Sequence, residues 1–135
     1  MKLWFRRLCV LLYCILIFIL SSQAHLPRLL EPENADKFVH FIEYGVLAFL
    51  FYRMILLERL FFLRSRPFIL SWFFTASYGF SDEIHQYFVP HRSCSLMDWL
   101  ADAAGAAIVL GVMAIRMNQF KMQKSKCKMT DQNLK

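Results

Sequence analysis

Three short segments hold most of the residues able to do acid–base or ion chemistry. In Asp36-Lys37-Phe38-Val39-His40-Phe41-Ile42-Glu43-Tyr44, a helix turning about 100° per residue places Asp36, His40 and Glu43 within an arc of about 60°. In Ser81-Asp82-Glu83-Ile84-His85-Gln86, helical geometry sets Asp82, His85 and Gln86 on one side, with Glu83 on its flank, within an arc of about 160°. The third segment, Asp98-Trp99-Leu100-Ala101-Asp102-Ala103-Ala104-Gly105, aligns Asp98, Asp102 and Gly105 on a narrow stripe. Between the last two lies Pro90-His91-Arg92-Ser93, which supplies an arginine.

Carboxylates beside histidine are the side chains of general acid–base work near neutral pH, and Glu83 and His85 are the candidates for a catalytic base. Arg92 is suited to a phosphate or a carboxylate. Asp36, His40, Glu43, Asp82, Gln86, Asp98 and Asp102 complete the expected contacts to a polar substrate. Asp98 and Asp102 repel each other at i, i+4, so a cation or proton is expected nearby. A carboxylate–histidine cluster can also hold a divalent metal, but no His-x-x-x-His or comparable ligand spacing is present, so metal is the lesser alternative and no metal ligand or cofactor is assigned. Taken singly, a carboxylate or histidine at a helix end is more often an interfacial anchor or a packing residue than a functional group. Three such stripes together favour function, because ionisable groups inside a membrane are costly unless used.

The elements that carry these segments are apolar. The chain has 135 residues, enough for one domain, and 58% of them are hydrophobic. The apolar residues form four runs rather than alternating along amphipathic elements. A helix rising about 1.5 Å per residue needs roughly 17–25 residues to cross a hydrocarbon core of about 30 Å. The predicted fold is therefore an all-α, polytopic membrane protein: a bundle of four transmembrane helices at about 4–22, 37–57, 67–87 and 98–116, forming one domain over residues 1–117. The third helix reaches that length only by taking in its polar end, Ser81 to Gln86, which is expected at the interface. Pro67 starts it and Pro90 follows its end. Pro27 and Pro32 break the first linker.

Of the 16 lysines and arginines, 13 fall near the chain ends or in and beside the linker between helices two and three, counting Arg53 at the end of helix two. The positive-inside rule then makes both termini cytoplasmic, and the expected location is the plasma membrane, crossed more than once. The same orientation places eight of the ten acidic residues and all four histidines toward the outer face. Lys2, Arg6 and Arg7, an apolar stretch to Leu20 and then Ser22-Gln23-Ala24 also fit a cleavable signal peptide; cleavage would leave the later helices with the same orientation. The basic segment 118–135 has no apolar periodicity and is predicted to be a disordered cytoplasmic tail. Orientation accounts for the net charge of +6, and no groove-reading motif points to nucleic acid. Cys9, Cys14, Cys94 and Cys127 lack Cys-x-x-Cys spacing and are expected to be incidental thiols.

At these residues the chain resembles the VanZ-like family of bacterial membrane proteins, named for a protein associated with low-level teicoplanin resistance. The resemblance runs through Ser21-Ser22-Gln23, through Asp36-Lys37-x-x-His40-Phe41-x-x-Tyr44, through Tyr78-Gly79-Phe80 and the polar segment to Ser93, and through Asp98 to Gly105. His91 stands where glycine is common in the family. The resemblance implies a membrane protein of the cell envelope and supplies no established reaction. Two functions follow as expectations. One is an outward-facing site that binds or modifies a lipid headgroup, a lipid-linked wall precursor or a glycopeptide, with membrane lipids as partners and an effect on teicoplanin susceptibility. The other is a non-catalytic accessory protein whose polar residues fix helix packing, a homo-oligomer or a membrane partner.

Overall fold

The computed structural model describes residues 3–23, 35–90, 92 and 94–133, without side chains at 35, 36, 128 and 130–133. The elements run α1 (Leu3–Ser21), α2 (Ala35–Ile55), α3 (Phe61–Ser65), α4 (Pro67–Tyr87) and α5 (Leu96–Asn133), and no strand occurs among the described residues. Leu3–Ser21, Lys37–Ile55 and the part of α5 from Leu96 to Cys127 are long and apolar enough to cross a membrane. At 21 residues α4 is as long as α2. Its polar side chains keep it below the apolar level of the other three, and these include the buried Ser71, Thr75, Asp82, Glu83 and Gln86.

Helix α2 is the centre of the bundle. It packs most extensively on α5, then on α4 and α1, and α4 also packs on α5. Its buried Tyr44, Leu47, Ala48, Tyr52 and Ile55 recur at three- and four-residue steps, forming one continuous inner face. Across from it α5 presents the buried Ala103, Ala106 and Leu110. Small residues let the two backbones approach, which matters in a bilayer because lipid tails give helices no hydrophobic reason to associate. Gly105 is the tightest point: a Cβ there would overlap the backbone carbonyl of Phe41.

The outside is more apolar than the inside. Leu11, Ile15 and Phe18 of α1, Phe38, Ile42 and Val46 of α2, Ile69, Phe73 and Phe80 of α4, and Ile108, Val112 and Ile115 of α5 are all exposed. The buried polar residues include His40, Asp82, Glu83, Gln86 and Asp102. Such an inverted arrangement suits hydrocarbon as solvent, because polar groups gain only by facing one another.

Side-chain contacts set α1 parallel to α4 and antiparallel to α2. Ser21 at the end of α1 meets Asp82 near the end of α4, while Arg7 near the start of α1 meets Glu58 just beyond α2. Pro67 occupies the first turn of α4, where its missing N–H costs nothing. Two differences from the sequence expectation appear. The linker between α2 and α4 contains the short helix α3. Helix α5 continues to Asn133, where the sequence predicts disorder beyond residue 117. Residues 118–135 contain no glycine or proline and are rich in lysine, glutamine and methionine, which favour helix even without an apolar face.

Candidate functional site

The predicted polar residues converge at the end of the bundle shared by the C-termini of α1 and α4 and the N-termini of α2 and α5. They form two adjoining groups rather than one site, because α4 lies between its neighbours and sends successive side chains to opposite sides.

The first group is centred on Asp82, which is 4% exposed. Its Oδ1 accepts from the Ser21 hydroxyl at 2.6 Å, and its Oδ2 accepts from the Tyr44 hydroxyl at 3.1 Å and the Gln86 amide at 3.0 Å. One carboxylate thus ties α1, α2 and α4 together, with both oxygens satisfied by neutral donors. Close by, the His85 Nε2 lies 2.9 Å from the Ser22 hydroxyl, and its ring packs on Phe18 with centroids 4.4 Å apart. His85 therefore belongs to the α1 side, which separates the two residues offered as alternative bases.

Glu83 belongs to the second group, with His40 and Asp102. The three come from α4, α2 and α5, are 3%, 7% and 0% exposed, and have donor atoms within 4.8 Å of one another. His40 Nδ1 lies 3.1 Å from Asp102 Oδ1. The backbone N–H of Ser95 donates to Glu83 Oε2 at 2.7 Å. The other two oxygens, Glu83 Oε1 and Asp102 Oδ2, are buried and have no hydrogen-bond partner among the described residues. Tyr44 joins the groups, its ring stacked beside that of His40 and its hydroxyl on Asp82.

Local sequence explains how Glu83 and Asp102 meet. Ser95 caps α5: its side chain accepts from the Asp98 N–H at 3.3 Å, in a Ser-x-x-Asp arrangement. In a full capping box the acidic residue would turn back to the cap's own N–H; here Glu83 of α4 takes that N–H, which fastens the two helices. Two indoles add further ties, Trp99 Nε1 donating to the carbonyl of Ala76 and Trp72 Nε1 to that of Ala103, each at 3.0 Å. Gly79 leaves room for the carboxylate, since a Cβ there would stand 2.8 Å from Asp102 Oδ2.

The remaining candidates lie around this centre. Glu43 is half-buried, and its backbone carbonyl accepts from the Tyr13 hydroxyl at 3.2 Å on the α1 side. Arg92 is half-buried and reaches the carbonyl of Leu20 at 3.5 Å. Asp98 is half-buried in the first turn of α5. Asp36 belongs to the first turn of α2, but its side chain lies outside the described residues, as do His25, Arg28, Glu31, Glu33 and His91. Sequence reasoning missed Ser21, Ser22 and Ser95 as site residues. The Ser95-x-x-Asp98 spacing carries a capping signature, whereas nothing local marks Ser21 as the partner of Asp82.

Metal ranks as the lesser alternative in the sequence because no local ligand pattern is present. His40, Glu83 and Asp102 each come from a different helix, so no short spacing could reveal that they meet.

Comparison with curated proteins and comparison with solved structures each find no match. The VanZ/LLP1 family model matches residues 4–117, which span α1, α2, α3, α4 and most of α5. Three apolar helices, a polar interior and this match over most of the chain establish that the protein is a VanZ-like membrane protein, a member of the VanZ/LLP1 family.

Proposed function

We propose that the protein crosses the plasma membrane four times with both termini in the cytoplasm, and that its polar end binds the head of an envelope lipid or a lipid-linked wall precursor. Spanning by α4 completes the bundle, because its polar face is covered by α2 and α5 while Ile69, Phe73, Phe80 and Ile84 meet lipid. The observation that carries the functional reading is the pair of buried carboxylate oxygens, on Glu83 and Asp102, with no partner. A packing residue would gain by being satisfied, and an ionised carboxylate in a membrane costs about 3 kcal/mol even on the mildest insertion scale. Glu83 is the candidate base, and Arg92 at the rim suits a phosphate or carboxylate.

Between α4 and α5 runs an apolar groove lined by Phe68, Ile69, Trp72, Ala107, Leu110, Gly111 and Ala114. Its apolar lining suits a lipid chain better than a free polar solute. A change in teicoplanin tolerance would follow if the head belongs to a wall precursor. A second reading, helix fixing without chemistry, is favoured by the fully satisfied Asp82.

Envelope lipids from cells with the protein, without it and with Glu83→Gln at equal protein level distinguish the two. An altered headgroup profile with the wild type alone supports the site, whereas identical profiles in all three leave helix fixing. Two native thiols test orientation, because Cys94 and Cys127 are exposed at opposite ends of α5. On intact cells an impermeant thiol reagent is expected to label the wild type and Cys127→Ser but not Cys94→Ser. Labelling that depends on Cys127 instead would reverse the topology.

A further inference from the structure

We infer that His40, Glu83 and Asp102 form a binding site for one divalent transition-metal ion of the zinc or manganese type. It rests on the headgroup reading for what the ion would do, though not for whether the ion binds.

Three observations converge. The side chains are all ligand types, one each from α2, α4 and α5, with donor atoms within 4.8 Å of one another. Ligand bonds of about 2.0–2.2 Å set ligand atoms roughly 3–3.6 Å apart, so donors within 4.8 Å of one another reach one ion after closing by about an ångström. Glu83 Oε1 and Asp102 Oδ2, buried and without a hydrogen-bond partner, are the atoms such an ion would occupy. Neither carboxylate is paired with lysine or arginine among the described residues. Two adjacent carboxylates in a low-dielectric interior need a cation or a proton to offset their repulsion, and a divalent ion supplies the charge for both.

The surroundings suit a held ion. The Ser95 N–H fixes Glu83 through Oε2 and leaves Oε1 for the ion. His40 Nδ1 and Asp102 Oδ1 already lie 3.1 Å apart, close to the separation of two ligand atoms on one ion, so the ion would take the place of the proton between them. One imidazole and two carboxylates select zinc, manganese or iron over calcium, which prefers more oxygen ligands. Three protein ligands leave a coordination position for water or for a headgroup oxygen. The ion would therefore take the phosphate or carboxylate of the head, making the site a metal-assisted receptor.

Full-length protein purified in detergent, stripped with a chelator and titrated with Zn²⁺ or Mn²⁺ tests this by calorimetry and elemental analysis. One ion per chain is expected, and Co²⁺ substitution is expected to give visible ligand-field bands. Glu83→Gln and Asp102→Asn should each weaken binding by about tenfold or more, while Glu58→Gln at the far end leaves it unchanged. Absence of a bound ion in the folded wild type overturns the proposal, as does equal loss in Glu58→Gln. If an ion binds as expected while headgroup profiles stay unchanged, the lipid reading fails and the metal site stands; altered profiles without an ion reverse that outcome.

Discussion

At one end of the bundle Glu58 is buried beneath Arg7, whose Nε and Nη2 hold both its oxygens at 2.8–3.0 Å. At the other end Glu83 and Asp102 are buried as deeply, yet each keeps one oxygen without a partner. Asp82, beside them, is saturated by Ser21, Tyr44 and Gln86. Burial alone therefore does not mark a functional carboxylate in this protein. Satisfaction does: Glu58 and Asp82 do the work of joining helices, and Glu83 and Asp102 are held in position for something else.

That contrast can be broken most forcefully at Asp82. Asp82→Ala removes the acceptor for three donors from three helices, and an unsatisfied buried donor costs about 1–3 kcal/mol. The expected loss is about 3 kcal/mol or more, read as a large drop in melting temperature in detergent; an unchanged melt would mean that this network is not structural.

A smaller loss is expected at the other end. Arg7→Ala leaves Glu58 without its cation, but the Arg7 side chain is 57% exposed, so water and headgroups replace part of what is lost. The melting temperature should fall by less than in Asp82→Ala, with envelope lipids unchanged at matched protein level. A changed lipid profile would show that the two ends are not separate in role.

Much of this division was hidden in the chain. The bounds of α4 were legible from Pro67, Pro90 and the length of the run between them, and the polar stripes of α2, α4 and α5 do face the interior through His40, Asp82, Glu83 and Asp102. Helical periodicity says which residues share a side of one helix, and it is silent on which neighbour that side meets. Asp82, Glu83, His85 and Gln86 therefore read as one group, although Glu83 turns to α5 and His85 to α1. The long reach of α5 was missed because apolar periodicity was required where helix propensity alone suffices.

The smallest expected effect on stability is the most informative. Asp102→Asn keeps the volume of the side chain and removes a buried charge, while His40 still has an oxygen to meet. If Glu83 and Asp102 exist for chemistry rather than packing, the chelator-treated variant will melt at or above the wild-type temperature, and cells carrying it will show the headgroup profile of cells lacking the protein. A clear fall in melting temperature with a wild-type headgroup profile would contradict the account and return the whole polar end to helix packing.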